Sequence, residues 1–250
     1  MNVLVVGKGG REHALVRALS LSASVVDVHA VPGNPGMAHL AKLHDVSPSS
    51  QSEILEICRI CEISLVVIGP ENQLVEGLSD FLRKAGIDVF GPCQVGAQLE
   101  GSKIFAKQFM DRHGVPTASY DIVASVEDVK RIVEKYSAPY VLKADGLAGG
   151  KGVFICKDES ELLSAAEDLF VKKIFGAAGE KAILEKFQAG YELSFFVLTN
   201  GKDFEPLPLA QDHKRLLEGD CGPNTGGMGA IAPITTVSYT HLTLPTTPYV

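Results

Sequence analysis

The chain carries the stretch Lys143-Ala-Asp-Gly-Leu-Ala-Gly-Gly-Lys-Gly-Val153, in which two lysines eight residues apart enclose a glycine-rich turn. Its four glycines have no side chains, so the backbone can approach an anion and point N–H groups at it. The lysines add positive charge. The apolar segments 140–142 and 153–156 have strand character. The stretch therefore predicts a phosphate-binding loop between two strands.

This loop differs from a Walker A loop. That motif needs a glycine where Asp145 stands and a serine or threonine where Gly152 stands. The alternative is an ordinary hairpin turn, which needs neither four glycines nor two flanking lysines. We therefore predict a nucleotide-binding loop of another kind.

Composition narrows the class of protein. The chain has 250 residues, of which 46% are hydrophobic and 21% charged, as in soluble globular domains. Its net charge of -7 disfavours nucleic-acid and anionic-membrane partners. The five cysteines form no disulfide or zinc-finger pattern. The first residues show neither the basic n-region nor the h-region of a signal peptide, and no apolar run approaches 18 residues, so we expect neither secretion nor membrane insertion. We expect a cytoplasmic protein with reduced thiols.

The first 101 residues alternate strand and helix patterns. Strands are predicted at residues 2–6, 25–31, 65–68 and 88–90, with helices at 12–20, 52–61 and 74–85. Such alternation predicts an α/β fold with a doubly wound parallel sheet, here a Rossmann-like substrate domain.

Residues 102–236 have a different organisation. We predict helices at 102–113, 125–136 and 159–170, and strands at 119–123, 181–186 and 192–199, the last turning at Asn200-Gly201. This is an α+β unit. Residues 237–250 contain no Asp, Glu, Lys or Arg and continue no earlier pattern, so we interpret them as a non-native tail.

A second glycine-rich turn, Gly7-Lys-Gly-Gly-Arg-Glu-His13, follows the first strand and opens the first helix, where N–H groups favour phosphate. A dinucleotide fingerprint would have glycine at Glu12 and an acidic residue ending the second strand, so NAD is disfavoured. Arg11 points to a phosphorylated small molecule; a purely structural turn is the alternative. Pro32-Gly-Asn-Pro-Gly36 and Gly69-Pro-Glu71 end the next two strands and would complete the pocket.

Three further segments carry functional groups. Residues 185–192 join two strands through a hinge that offers backbone groups for a base and Glu192 for a ribose. Residues 211–215 and 222–229 are dense in polar groups and glycine. Solvated loops would look similar, although both segments are too elaborate for a linker.

Together these motifs resemble the phosphoribosylamine–glycine ligase family of ATP-grasp ligases, over residues 3 to about 233. The resemblance rests on seven further motifs besides the lysine and glycine stretch. They are Gly9-Gly-Arg-Glu-His-Ala14, Pro32-Gly-Asn-Pro-Gly36, Gly69-Pro-Glu71, Phe90-Gly-Pro92, Ser102-Lys-Ile-Phe-Ala-Lys107, Gln211-Asp-His-Lys-Arg-Leu-Leu-Glu-Gly-Asp220 and Gly222-Pro-Asn-Thr-Gly-Gly-Met-Gly-Ala230.

The resemblance implies ATP-dependent joining of phosphoribosylamine to glycine through a glycyl phosphate, and an incomplete ATP-grasp domain at 102–236. It implies ATP contacts at Lys103, Lys143, Gly146, Gly149, Gly150, Lys151, Gly152, Glu185, Lys186, Phe187, Gln188 and Glu192. Phosphoribosylamine would lie near Gly9, Gly10, Arg11, Pro32, Gly33, Asn34 and Gly36. The amine and glycine would face Asp212, Lys214, Asn224, Thr225, Gly226, Gly227 and Met228, with Asp212, Lys214 and Asn224 as catalytic residues.

The chain departs from the family pattern in one respect. Family members continue beyond this length into acidic and asparagine ligands for magnesium or manganese, and we predict no metal ligand here. We therefore expect an N-terminal fragment, ending near Thr236, with negligible ligase activity. The alternatives are another ATP-grasp ligase or carboxylase, a non-catalytic nucleotide-binding module and, third, a dehydrogenase.

Overall fold

The computed structural model describes residues 1–190, 192–219 and 221–234. The strands are β1 (Asn2–Gly7), β2 (Val28–Pro32), β3 (Lys42–Leu43), β4 (Ile63–Ile68), β5 (Asp88–Phe90), β6 (Tyr120–Val123), β7 (Tyr140–Ala144), β8 (Val153–Cys156), β9 (Ala182–Lys186), β10 (Val197–Thr199), β11 (Phe204–Pro206), β12 (Gln211–Leu217) and β13 (Cys221–Ile231). The α-helices are α1 (Gly10–Ser20), α2 (Gln51–Ile60), α3 (Glu71–Val75), α4 (Leu78–Lys84), α5 (Gln94–Gly101), α6 (Lys103–His113), α7 (Val126–Ile132) and α8 (Glu159–Ala166).

The first five strands form one parallel sheet in the order β3-β2-β1-β4-β5. The central strand β1 is an unbroken apolar run because both of its faces are covered. Leu4 and Val6 pack with α2 and α4 on one face, while Val3 and Val5 pack with Val16 of α1 on the other. The predicted doubly wound parallel sheet is confirmed.

One predicted helix of this unit is wrong in extent. Residues 74–85 were expected to form one helix, but α3 and α4 are separate helices on either side of Gly77. Gly77 has φ +85°, a left-handed conformation that glycine adopts readily and that interrupts a helix. The side-chain amide of Gln94, at the start of α5, donates to the Val75 carbonyl at 3.0 Å and so holds this break against α5. The sequence patterns did not predict α5.

The second unit contains a four-stranded antiparallel sheet in the order β6-β9-β7-β8. One face of this sheet packs against α7 and α8 through a core that includes Val129, Leu142, Leu162 and Leu184. The glycine-rich stretch joins β7 to β8, with Lys143 opposite Val153. The predicted α+β unit and the predicted loop between two strands are therefore confirmed.

The last described segments form two hairpins. A strand was predicted at residues 192–199, but only Val197–Thr199 pairs regularly, with β11, and Ser194 makes an isolated bridge to Ala210. The predicted turn at Asn200-Gly201 connects these strands, and Gly201 has φ +90°. The segments predicted to carry polar groups near the amine and glycine lie on β12 and β13, which pair antiparallel.

The predicted non-native tail, residues 237–250, lies outside the described residues. Within the described ranges, none of the helices is both long and apolar enough to cross a membrane.

Candidate functional site

Asp145 fixes the base of the glycine-rich loop to the start of α6. Its carboxylate accepts hydrogen bonds from the Ser102 hydroxyl and the Ile104 N–H, both at 2.8 Å. Its carbonyl accepts the N–H of Lys103 at 3.1 Å, and the Ser102 hydroxyl in turn accepts the N–H of Phe105 at 3.0 Å. A helix N-terminus, where partial positive charge gathers, therefore lies at the loop.

The glycines of the loop have two different roles. A Cβ on Gly146 would lie 2.8 Å from the Cα of Ala178, and one on Gly152 would lie 2.8 Å from the Cβ of Ala148. Gly149 and Gly150 have φ of +59° and +77°, and their Cβ positions have no neighbour within 4 Å. The loop is thus tightly packed at its base and open at its tip, where backbone N–H groups can reach an anion.

Two of the lysines predicted to hold phosphate converge beneath this loop. The ammonium of Lys103 lies 3.3 Å from the Gly146 carbonyl, and Lys143 forms an ion pair with Glu185. Burial lowers the pKa of Lys103, and the nearby Lys143 ammonium lowers it further, while Asp145, Glu100 and Glu185 oppose that shift. A bound polyphosphate would relieve the repulsion between the two cations. Lys151 is exposed near the tip.

Glu185 is buried between two lysines, one of which sequence reasoning missed. The ammonium of Lys107 lies 2.8 Å from Glu185 Oε2, 2.8 Å from the Thr117 hydroxyl and 3.0 Å from the Ala118 carbonyl. Lys107 is 6% exposed. Its spacing was a usable signal, because Lys103 and Lys107 stand one helical turn apart and therefore share a face.

The segment predicted to hold adenine begins at this buried ion pair. The side chain of Glu185 is directed into contacts with the two lysines, and the Lys186 N–H bonds to the Ser119 carbonyl at 2.9 Å. Phe187 and Gln188 follow the end of β9 and are exposed. Contacts to a base would therefore fall on residues 186–188 and on their backbone groups.

Glu192 lies beside the polar residues of the final hairpin. Lys214 is 2.5 Å from Glu192 Oε1 and 3.6 Å from Asp212 Oδ2. Burial alone would lower the pKa of Lys214, but the hydrogen bond to Glu192 and the charges of Glu192 and Asp212 raise it. The Thr225 hydroxyl bonds to the Lys214 carbonyl at 2.9 Å. Predicted ribose-binding and catalytic residues thus meet in one cluster.

The remaining predicted residues of this region lie on β13. Asn224 stands opposite Arg215 in the strand register, and Gly229 stands opposite His213. Gly226, Gly227 and Met228 fall between these positions, and Met228 is 57% exposed.

Three predicted substrate loops meet at the carboxyl edge of the parallel sheet. Arg11 is 3.2 Å from Glu71, and the Asn34 amide donates to the Lys8 carbonyl at 3.0 Å. The N–H of Gly33 bonds to the Gly7 carbonyl at 3.2 Å. Gly9, Gly10, Pro32 and Gly36 belong to the same loops. This edge is where open α/β sheets bind ligands.

Glu12 fills the space between two of these loops. A Cβ on Gly7 would lie 2.5 Å from Glu12 Cγ, and one on Gly69 would lie 2.3 Å from Glu12 Oε1. The carboxylate is 4% exposed and accepts the Gly9 N–H at 2.6 Å through Oε2. Among the described residues, Oε1 has no hydrogen-bond partner. Arg11 Nε lies 4.0 Å from this buried oxygen, so the Arg11 charge partly balances it.

Two models of known protein families match this chain, one for each part of the sequence. Residues 1–100 match the model of the phosphoribosylglycinamide synthetase N domain, and residues 101–245 match that of its ATP-grasp (A) domain. The chain belongs to the phosphoribosylglycinamide synthetase family. The second match overlaps residues 237–245 of the segment that was predicted to be non-native.

Individual relatives of this synthetase family are similar over most of the chain. The phosphoribosylamine–glycine ligases of Agrobacterium fabrum and Listeria monocytogenes are 47% and 43% identical over 93% and 96% of it. The solved structure of the Thermotoga maritima ligase has a TM-score of 0.80 and 36% identity over 94% of the chain. The chain spans 55%, 57% and 56% of the lengths of these three proteins.

The residues around the glycine-rich loop have the chemistry to hold phosphate but not magnesium or manganese. The loop offers N–H donors and lysines for phosphate, whereas magnesium and manganese take carboxylate, carbonyl and water oxygens. Glu185 is already paired with Lys107 and Lys143, and Asp145 with α6. Within the described ranges, no group of three acidic side chains comes together as a metal site.

An apolar groove of about 690 Å³ lies away from both clusters. Its walls include Leu19, Leu65, Val67 and Phe90, with Leu198 from the β10–β11 hairpin. Its charged residues are Arg83 and Asp88, which offer no excess of positive charge for a polyphosphate. The groove therefore lacks the chemistry of a phosphate site.

The packing of Glu12 gives a prediction for this edge of the synthetase fold. We expect Gly69→Ala to lower the free energy of unfolding by about 1–3 kcal/mol, since the new methyl would overlap the buried Glu12 side chain. Gly10→Ala is the control, because its Cβ would meet nothing within 4 Å and Gly10 has no positive φ. Urea unfolding measures both, and equal stabilities would contradict the prediction.

Proposed function

We propose that the protein carrying this chain joins phosphoribosylamine to glycine at the expense of ATP, forming glycinamide ribonucleotide in purine biosynthesis. The observation that carries the proposal is the convergence of Lys103 and Lys143 beneath a glycine loop that Asp145 fixes to the start of α6. The relatives named above carry phosphoribosylamine and glycine in their names, and the matching family model is an ATP-grasp domain.

The reaction needs the glycine carboxylate to become an electrophile. The carboxylate oxygen attacks the γ-phosphorus of ATP, ADP leaves, and glycyl phosphate forms. The amine of phosphoribosylamine then attacks the glycyl carbonyl carbon, phosphate leaves and the amine loses a proton. A protein accelerates such transfers mainly by positioning the reactants and stabilising the developing charge.

The chain's residues divide these tasks. Lys103, Lys143 and the loop N–H groups hold and neutralise the phosphates, and residues 186–188 with Glu192 hold the nucleoside. Arg11 and the loops at the parallel-sheet edge hold phosphoribosylamine, with Arg11 exchanging Glu71 for the phosphate. Lys214, whose charge Glu192 and Asp212 stabilise, would lie near the glycine carboxylate. We assign no step to magnesium or manganese, since the described residues do not fit such an ion.

We expect Lys103→Met to weaken ATP binding by about 10- to 100-fold, because it removes one or more charge-assisted contacts to phosphate. Isothermal titration calorimetry of the 250-residue chain measures this. Lys130→Met, an exposed lysine on α7, is the control and should leave the affinity unchanged. Equal ATP affinity in Lys103→Met and the unaltered chain would contradict the assignment of the phosphate site.

A second assay tests the reaction. A protein that extends this chain to its relatives' length should sustain repeated ADP release only when glycine and phosphoribosylamine are both present. ATP binding without turnover in that protein would favour the non-catalytic nucleotide-binding module. Tight binding of a nicotinamide cofactor would favour the dehydrogenase.

We infer the cytoplasm as the compartment, as expected for a purine-biosynthesis enzyme. The five free cysteines are consistent with a reducing environment. The expected partners are the small-molecule substrates.

A further inference from the structure

Three side chains with metal-binding atoms meet in the first unit, outside the nucleotide and substrate clusters. His29 lies on β2, His44 directly follows β3, and Cys61 directly follows α2. One ligand atom from each residue lies within 4.8 Å of the other two. The group brings together three segments that are separate along the chain.

The two imidazoles are already held together. His29 Nδ1 lies 2.9 Å from His44 Nε2, and the ring planes are 12° apart. A hydrogen bond between two ring nitrogens requires one donor and one acceptor, so one of these nitrogens presents a lone pair to the other. His29 is 3% exposed, whereas His44 and Cys61 are half-buried. The pair is thus formed in advance and remains open to solvent on one side.

We propose that His29, His44 and Cys61 form a zinc site, with the fourth coordination position open to water. Two imidazole nitrogens and one thiolate are ligands that zinc prefers in proteins. Binding would release the thiol proton, and the proton of the N–H that joins the two rings would move through solvent to the other nitrogen of the same ring, which does not bind the metal. No electron transfer is involved, because zinc has no redox chemistry at such sites.

The geometry needs only small adjustments. Zinc–nitrogen and zinc–sulfur bonds of about 2.0 and 2.3 Å at tetrahedral angles separate the ligand atoms by roughly 3.3–3.6 Å. The nitrogen pair at 2.9 Å must open by a few tenths of an ångström, and the sulfur must approach by at most about 1.5 Å. Rotation of the partly exposed His44 and Cys61 side chains supplies such movements.

The position of the site would let a bound ion stabilise the first unit. Cys61 packs against the core that joins α2 to the parallel sheet, and the Asn2 amide donates to its carbonyl at 2.9 Å. His29 lies opposite Leu4 of that core in the register of β1 and β2. A bound ion would therefore connect β2, the segment after β3 and the turn from α2 to β4. Because zinc would bind the folded state, it would raise the melting temperature.

The test uses the 250-residue chain after chelation and dialysis, titrated with zinc and, separately, with cobalt(II) as a spectroscopic substitute. We expect one equivalent to bind, with the intense visible bands of tetrahedral cobalt, a thiolate-to-cobalt charge-transfer band, and a higher melting temperature with zinc. Cys61→Ser should abolish the charge-transfer band, and His44→Ala should weaken zinc binding by more than about tenfold.

Matched controls separate this site from incidental metal binding. Cys93→Ser and His39→Ala change an exposed thiol and an exposed imidazole elsewhere in the first unit and should leave both metals' binding intact. Circular dichroism of each variant without metal establishes that it is folded. No uptake of zinc at micromolar free concentration by the unaltered chain would overturn the proposal. A cobalt spectrum that Cys61→Ser leaves unchanged would overturn it as well.

Discussion

Glu185→Gln is expected to lower the free energy of unfolding of the second unit by about 3–5 kcal/mol, as when one partner of a buried ion pair is removed. The Glu185 side chain is 7% exposed and is the carboxylate that pairs with both Lys107 and Lys143. Its neutral amide would leave two neighbouring ammonium groups without compensating charge. The Lys107 side chain is only 8% exposed and cannot turn to solvent.

Lys107→Met should cost less than Glu185→Gln, although it removes the more buried lysine. Glu185 keeps Lys143, so no net charge is left buried, and methionine fills a similar volume. The double variant should lose less free energy of unfolding than the two single variants lose in sum. Glu180→Gln, at an exposed position in the same unit, is the control.

Urea unfolding followed by tyrosine fluorescence measures these differences in the second unit. The chain has six tyrosines and no tryptophan, and none of the tyrosines falls within residues 1–101. If the free energy of unfolding of Glu185→Gln lies within about 1 kcal/mol of that of the unaltered chain, other groups must compensate the charges of Lys107 and Lys143.

Leu184→Ala is expected to destabilise the second unit by about 2–5 kcal/mol and to leave the first unit nearly unchanged. Leu184 is 0% exposed, on a strand with neighbours on both sides, and belongs to a core that contains no residue of the first sheet. Leu4→Ala is the reciprocal variant, because Leu4 is equally buried in the first sheet.

Tyrosine fluorescence and far-ultraviolet circular dichroism together distinguish the unfolding of the two units. Tyrosine fluorescence reports no residue of the first unit, whereas far-ultraviolet circular dichroism reports both units. Leu184→Ala should shift the unfolding transition seen by fluorescence. Leu4→Ala should leave that transition in place and shift only the part of the dichroism change that comes from the first unit. If either variant moves both transitions together, the two units unfold as one and the boundary near residue 101 has no energetic meaning.

Sequence patterns predicted those parts of the fold in which local and tertiary preferences agree. The apolar run of β1 predicted a strand covered on both faces, and the glycine-rich stretch predicted a loop between two strands; both are confirmed. Anion binding by that loop stays a prediction. The helix at residues 74–85 was misjudged, because its apolar periodicity continues through Gly77 while the backbone does not. The deciding contact, Gln94 with the Val75 carbonyl, comes from a later segment that periodicity cannot anticipate.

The candidate site likewise has features that the sequence predicted and features that it did not. Residue types and spacing indicated which lysines and glycines belong to a phosphate loop, and those residues do come together. They could not indicate that Glu185 is shared by Lys107 and Lys143, or that Glu12 fills the space where a dinucleotide fingerprint has glycine. Those facts depend on strand register and on loop packing at the sheet edge. The roles of the gathered residues in binding and catalysis stay predictions.

The anchoring of the glycine loop by Asp145 has an entropic consequence. Gly146 bonds to the Ala178 carbonyl, Asp145 bonds to the Lys181 carbonyl, and the Gly152 carbonyl accepts the N–H of Ala144. Holding an anion, as proposed, would then require new order only within residues 147–151, where the Lys151 N–H already bonds to the Ala148 carbonyl. Since fixing one backbone residue costs about 1–2 kcal/mol, each residue already fixed at the base lowers the ordering penalty by that amount. The two ends are organised before the ligand arrives, so more of the contact energy at the tip can appear as affinity.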